Sequence, residues 1–224
     1  MNTIRQELGE AGKTTGNTVN LYDDLVDGLS AAAPLRAVFW QPASVGVVVG
    51  YSQQPAVEVH MDRCRRDGVP VMRRRGGGGA VVLMPGILCL TCAFISQQSD
   101  SPYYFFQKIN AFLVEQLAHV FQVPDVRTAG ISDLTINDRK ILGCSMHKSR
   151  HRYLYQGSLL VQPDMDLIER YLRHPSREPD YRKGRGHEAF VTSLTQQGYP
   201  LSVRELEQGL ESGCTEQLAA LLLY

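Results

Sequence analysis

Residues 73–82 read Arg-Arg-Arg-Gly-Gly-Gly-Gly-Ala-Val-Val. Four consecutive glycines cost backbone entropy, and a strand pair does not need them. What they permit is close approach. Without Cβ atoms, backbone N–H groups can face an anion or a ligand chain. Arg73, Arg74 and Arg75 at the entrance add fixed positive charge and bidentate contacts to phosphate or carboxylate. The run is neither G-x-G-x-x-G opening a helix nor G-x-x-x-x-G-K-[ST], which excludes a dinucleotide turn and a Walker-type loop. A glycine-rich hairpin with exposed arginines is the plainer alternative.

A second constellation is Ser132-Asp133-Leu134 followed by Asp138-Arg139-Lys140-Ile141-Leu142-Gly143-Cys144. Lys140 begins an apolar strand near a glycine that lets something pass close. An ammonium there can sit on a phosphate and on the carbonyl oxygen of a bound acyl group, where negative charge develops during acyl transfer. An exposed lysine at a strand end is the ordinary alternative. Third, Gln156-Gly157-Ser158 precedes Leu159-Leu160 and can line the floor of a site.

Cys89 and Cys92 do not join this chemistry. There are five cysteines, an odd number in a chain too long to need staples. Cys89 and Cys92 form C-x-x-C inside the strand-like run ILCLTCAF. Residues three apart on a strand point to opposite faces, so the pair is split and reads as buried strand cysteines. No second C-x-x-C completes a zinc set.

These segments need elements to hold them. Residues 1–16 read as a polar lead. Residues 17–29 have helical spacing, with Val19, Leu21, Tyr22, Leu25 and Leu29 on one side. Strands are predicted at 36–40, 45–50, 69–74, 80–84 and 87–95, the last two joined by the turn dipeptide Pro85-Gly86. A helix is predicted over 55–67. The longest helix starts at Ser101-Pro102, its stripe formed by Phe105, Ile109, Phe112, Leu113, Leu117 and Val120. Short strands follow at 134–136, 140–144 and 153–161, with Asn137-Asp138 as a turn. Helices are predicted at 165–172, 201–210 and 215–223. The alternation is not strict β-α-β. An α/β (α+β) fold follows, with a mixed, mostly antiparallel sheet flanked by helices.

The chain has 224 residues, 43% hydrophobic and 21% charged, which fits a folded domain. Lys+Arg and Asp+Glu are both 23. That balance speaks against a general nucleic-acid or membrane-surface binder. No run approaches the ~20 apolar residues of a membrane span, and the polar N-terminus lacks a signal-peptide core. A soluble, cytoplasmic protein is expected. Cations nonetheless cluster at 63–75, 139–152 and 182–185. Three such segments beside glycines in a neutral chain call for an anion.

Taken in order, the motifs resemble the lipoate–protein ligase A family. That family shares a catalytic-domain superfamily with biotin protein ligases and octanoyltransferases. The carrying residues are Arg73-Arg74 with Gly76–Val81, then Asp133-Leu134 with Asp138–Gly143, then Gly157–Leu160. Two further segments fit: Trp40 with Val47–Gln53, and Pro179–Val191. The resemblance covers about residues 21–194. It implies the class II synthetase-like, biotin-ligase-like catalytic fold, as one domain over 17–224 without a separate C-terminal accessory domain.

It also implies a two-step reaction. A lipoate or octanoate carboxylate attacks ATP to give acyl-AMP and pyrophosphate, and a lysine of a lipoyl acceptor domain then takes the acyl group. Carried over, Arg74 contacts the ligand, and Gly77, Gly78, Gly79, Ala80, Val81 and Val82 bind nucleotide. Asp133, Gly157 and Ser158 fall in substrate-binding stretches, and Lys140 is the catalytic lysine. Apolar residues around the Val-rich strand would form the acyl tunnel. Mg2+ is expected with ATP, without a protein-held metal site. A partner subunit is a further expectation; nucleic acid and membrane are not.

The chain departs from the family pattern in four places. Gly76 stands where the family has Ser, Leu83-Met84 where it has His-Asp, Ser132 where it has Asn, and Gln156 where it often has His. Two alternatives follow. One is an ATP-independent octanoyl or lipoyl transferase with a cysteine nucleophile, for which Cys144 is the only cysteine near the motif. The other is a non-catalytic lipoate or acyl-AMP binder. Finally, His147–Arg152 reads as an exposed basic tip beside the site, able to steer an acidic acceptor.

Overall fold

The computed structural model describes residues 23–99, 101–211 and 213–223. The polar lead and positions 17–22 of the first expected helix lie outside them. The rest of that helix is the short turn Asp23–Asp27.

Among the described residues, nine strands make two sheets. β1 (Leu35–Trp40), β5 (Ile87–Ile95), β6 (Arg127–Ala129), β7 (Asp133–Ile136), β8 (Arg139–Ser149) and β9 (Arg152–Leu160) form the larger one. Its order is β1-β5-β9-β8-β7-β6, and every neighbouring pair is antiparallel. β2 (Gly46–Val49), β3 (Val71–Arg73) and β4 (Val81–Leu83) form the smaller sheet, with β2 central, parallel to β3 and antiparallel to β4.

The larger sheet is buried on both faces, which explains why β5 is apolar without a break. Leu88, Leu90, Cys92 and Phe94 point into one core, against helices Pro102–His119, Val203–Glu211 and Cys214–Leu223. Ile87, Cys89 and Ala93 point into the other, against Val47, Val49 and Val82 of the smaller sheet and Ile168 and Leu172. The C-x-x-C pair is therefore split between two cores, as strand parity requires.

Burial holds these thiols protonated. The Cys89 pKa is pushed well up and that of Cys92 to about 12. In an unfolded chain both would ionise from about pH 8.5. The native state thus keeps protons that the unfolded state releases, and stability falls as pH rises from there toward 12. Each thiol is expected to cost about 1.4 kcal/mol per pH unit in that window. Denaturant unfolding at pH 7, 9 and 10 checks this, and Cys92→Ala should flatten the decline.

Pro85-Gly86 makes the expected turn, the Ile87 N–H donating to the Met84 carbonyl at 3.2 Å, and the strands it joins, β4 and β5, belong to different sheets. Gly86, at φ +90°, also receives the strand end after β9, its carbonyl accepting from Val161 and Gln162. Three expectations change. The helix expected over 55–67 is two pieces, Pro55–Glu58 and Met61–Arg66. Between them Val59 is extended (φ −129°, ψ 142°), fully buried, and bridged to Leu172. The long helix ends at His119, leaving Val120 51% exposed and outside the stripe. β8 runs on through His147, Lys148 and Ser149, because pairing with β9 satisfies its backbone whatever the side chains. Asn137 and Asp138, both at positive φ, make the expected β7–β8 turn.

Candidate active site

A cavity of about 720 Å³, counting the solvent at its mouth, lies between the two sheets. Its floor is two rows of side chains set by strand register. Gly143 on β8, Ser158 on β9, Cys89 on β5 and Trp40 on β1 make one row. Ser145, Gln156 and Thr91 lie across the same three inner strands in the next. Its roof is Val48 and the glycine loop, Gly78 to Val81, with Arg74 and Leu83. Ser132, Asp133 and Lys140 close one end. The Trp40 indole N–H donates to Thr91 Oγ1 (3.3 Å).

The structure brings nine of the eleven predicted site residues to this cavity: Arg74, Gly78, Gly79, Ala80, Val81, Asp133, Lys140, Gly157 and Ser158. Gly77 and Val82 do not line it. Val82 alternates inward on β4 and is buried in the core. Gly77 acts through its carbonyl, described below. Of the Val-rich strand only Val48 reaches the cavity, and the other apolar walls are Trp40, Val81, Leu83 and Cys89. Met84, at one of the positions where the family has His-Asp, is buried in the core instead.

Lys140 owes its aim to a β-bulge. Thr135 pairs with Lys140 and Leu134 with Leu142, so Ile141 is the extra residue on β8. Ile141 and Leu142 both sink into the helix-side core. The bulge shifts parity, and Lys140 joins Gly143 on the cavity face. There Nζ pairs with Asp133 Oδ1 at 2.8 Å, the lysine side chain 25% exposed and the aspartate 8%. Asp133 Oδ2 accepts from the Tyr181 hydroxyl at 2.8 Å. The Lys140 side chain lies over Gly143, where a Cβ would fall 2.6 Å from both Cε and Nζ. The glycine's purpose is thus to let the lysine itself pass.

Arg74 shapes the loop. The residue is 8% exposed, and its guanidinium bonds to carbonyls: Gly77 (Nε 3.2 Å, Nη2 2.7 Å), Gly79 (Nη2 2.7 Å) and Val48 (Nη1 3.5 Å). Burial lowers its pKa to about 10, still charged at neutral pH. The loop wraps so tightly that a Cβ on Gly50 would stand 2.1 Å from the Gly78 carbonyl oxygen. Gly76 is buried against Ser145, whose Oγ would lie 2.9 Å from a Cβ there. A serine at 76 would therefore collide with the hydroxyl this chain carries at 145.

The three basic segments are, in large part, not anion sites. Arg73 Nη1 donates to the carbonyls of Gly50, Tyr51 and Gln53. Arg139 donates to those of Glu188 and Val191. Arg185 donates to those of Arg182, Asp138 and Tyr181. Buried Arg182 donates to the Arg185 carbonyl and packs on Phe190. These arginines brace irregular backbone where no ladder can. The basic tip closes the β8–β9 hairpin. His147 comes two residues after the cavity residue Ser145, while the turn at Arg150 lies ten residues beyond Lys140, roughly 30 Å at 3.4 Å per residue, so the outer part of the tip stands far from the lysine.

Cys144 lines the inner wall, but its thiol donates to the Ser132 carbonyl (2.8 Å). Burial pushes its pKa to about 12, outweighing the lowering by Lys140. Tyr181, which sequence reasoning passed over within a recognised segment, is the main addition to the site. Trp40, Thr91 and Ser145 are the others.

A family model for the lipoyl protein ligase A/B catalytic domain matches residues 20–214. The chain belongs to that family. It is similar to lipoate–protein ligase 2 of Staphylococcus aureus, 32% identical over 138 residues, covering 62% of this chain and 39% of that protein. Lipoate–protein ligase 1 of Plasmodium falciparum is 29% identical over 126 residues, 56% of this chain and 29% of that one. The chain thus spans well under half the length of these curated relatives. Among solved structures, an archaeal bipartite lipoate protein ligase from Thermoplasma acidophilum, described with its E2 lipoyl domain, superposes with a TM-score of 0.74. It is 23% identical, and the match covers 97% of this chain and 79% of that one. A lipoate–protein ligase A bound with ATP gives 0.70 at 21% identity, covering 97% and 81%. The mixed α+β architecture with its large antiparallel sheet is that of lipoate ligases. Among the described residues no helix is long and apolar enough to cross a membrane.

Proposed function

We propose that this protein is an ATP-dependent acyl ligase acting on lipoate or octanoate. The observation that carries the reading is Lys140 Nζ, aimed by the bulge into a cavity whose opposite wall is the glycine loop. In the first step a carboxylate oxygen attacks the α-phosphorus of ATP and pyrophosphate leaves. In the second, the amine of an acceptor lysine attacks the acyl carbon, AMP leaves and the nitrogen loses a proton. Lys140 stabilises the charge that develops on the phosphate and acyl oxygens in both steps. Asp133 holds Lys140 in place. Arg74 acts indirectly, by fixing the loop whose backbone faces the nucleotide. The apolar walls at Trp40, Val48, Val81 and Leu83 suit an aliphatic chain.

Among the described residues no three His, Cys, Asp or Glu side chains gather to hold a metal. Asp133, the carboxylate in the cavity lining, is already paired with Lys140. The side chains do not fit a protein-held ion. Magnesium would arrive on the triphosphate.

A lipoyl acceptor domain is the second substrate, and the similarity to a bipartite archaeal ligase favours an accessory polypeptide. Pyrophosphate–ATP exchange tests the reading. Exchange that depends on lipoate or octanoate, with or without an added accessory polypeptide, supports it. Binding of lipoate without exchange would make the protein a carrier instead.

The cysteine transferase is disfavoured by the protonated, carbonyl-bound Cys144 thiol. Cys144→Ser is expected to retain acyl-dependent exchange within a few-fold. No thioester at Cys144 should appear by mass spectrometry after incubation with an octanoyl carrier; its appearance would move the protein to the transferase class.

A further inference from the structure

The Asp133 side chain is 8% exposed and must aim one oxygen at Lys140. β7 alone does not fix it. Its backbone sets where Cβ lies, while the carboxylate plane still turns about χ2. The second oxygen is held from outside the sheet, by the Tyr181 hydroxyl at 2.8 Å. Ser132 Oγ, at 3.4 Å from Oδ1, is too long to do this. Tyr181 itself is fixed at three points. It sits in the single turn Asp180–Arg182, its ring packs on Phe190 with centroids 5.1 Å apart, and its carbonyl takes Arg185 Nη2 at 2.8 Å. Gly130, at φ +56°, turns the chain beside the ring, whose edge would make an ordinary 3.5 Å contact with a Cβ there.

We infer that Tyr181 is a positioning residue, which locks Asp133 so that Asp133 in turn holds Lys140 over Gly143 and in the cavity. The inference rests on the acyl-ligase reading for its kinetic consequence, but not for its geometry. The hydroxyl is a lasting donor, because burial and the neighbouring carboxylate push its pKa far up. This gives segment 179–191 a purpose, since its arginines brace a loop whose product is one aimed phenol.

Tyr181→Phe keeps the ring and deletes the donor, so the fold should survive. A charge-assisted hydrogen bond of this kind is worth roughly tenfold. The variant is expected to lose about tenfold in kcat for acyl-dependent exchange, with KM for the acid within roughly twofold. In a Lys140→Ala background the same change should add nothing, because Tyr181 acts only through the lysine. A residue with a merely structural role would instead multiply its loss in both backgrounds. The second readout needs no activity. A crystal structure of Tyr181→Phe should show Lys140 Nζ displaced from Asp133 Oδ1. Retention of that contact at its present distance overturns the inference, whatever the wild-type protein does with ATP. An inactive wild type with a displaced lysine in the variant would overturn the ligase reading and leave the inference standing.

Discussion

Lys140→Ala is expected to slow acyl activation and transfer by roughly 10²–10³-fold, the usual loss when one preorganised donor is removed from developing charge. The loss should fall on kcat more than on KM, since the ammonium stabilises the transition state more than the bound acid. The substitution is not neutral for the fold. A free lysine at a strand end would contribute little, but this one neutralises a carboxylate that is 8% exposed. Removing it leaves Asp133 with the Tyr181 hydroxyl and no cation. The cost is about 1–3 kcal/mol, toward the lower end because a quarter of the lysine side chain meets water. Adding Asp133→Asn removes the stranded charge. The double variant should therefore regain stability and no activity. Steady-state exchange and denaturant melts on the same preparations separate the two effects. Near-normal turnover in Lys140→Ala would remove the lysine from the mechanism.

The motifs made this lysine visible, but not the reason it faces the cavity. Counted along β8 by simple alternation, Lys140 shares a face with Leu142, and Ile141 shares one with Gly143. The bulge reverses that count, and bulges follow from pairing with a neighbour strand rather than from local composition. Tyr181 was hidden for a related reason. It comes 48 residues after Asp133 in sequence and meets it only through tertiary packing. The arginines misled in the other direction. Clustered positive charge reads as an anion site, yet guanidinium groups also satisfy stray carbonyls, and composition does not distinguish the two uses. What could be read directly was whatever depends on near neighbours. The split of Cys89 and Cys92 follows from parity alone, and the β7–β8 turn follows from Asn137-Asp138 tolerating positive φ. The division of β4 and β5 between two sheets is a long-range choice, which the Pro85-Gly86 dipeptide does not encode.

Gly143→Ala should separate aim from stability. A Cβ at 143 would stand 2.6 Å from Lys140 Cε and Nζ, closer than non-bonded atoms sit. Backbone does not oppose it there: the other near atom is Asp133 Oδ1, at an ordinary 3.8 Å. Gly143 is also not among the residues at positive φ, so alanine can adopt its conformation. The strain is relieved by swinging the far end of a flexible lysine, which costs little. Unfolding free energy should thus change by less than about 1 kcal/mol, and replacing glycine in a strand offsets part of even that. The catalytic consequence is larger. Nζ must leave the place that the bulge, Asp133 and Tyr181 together define, and a displacement of about 1 Å at a reacting centre costs on the order of 10²-fold. Exchange activity is therefore expected to fall nearly as far as in Lys140→Ala, with an unfolding midpoint close to wild type. The combined variant Gly143→Ala with Lys140→Ala should be no slower than Lys140→Ala alone, because the alanine at 143 has then nothing left to displace. If Gly143→Ala keeps full turnover, the lysine does not work from the position it occupies over that glycine, and the bulge that puts it there has no part in the chemistry.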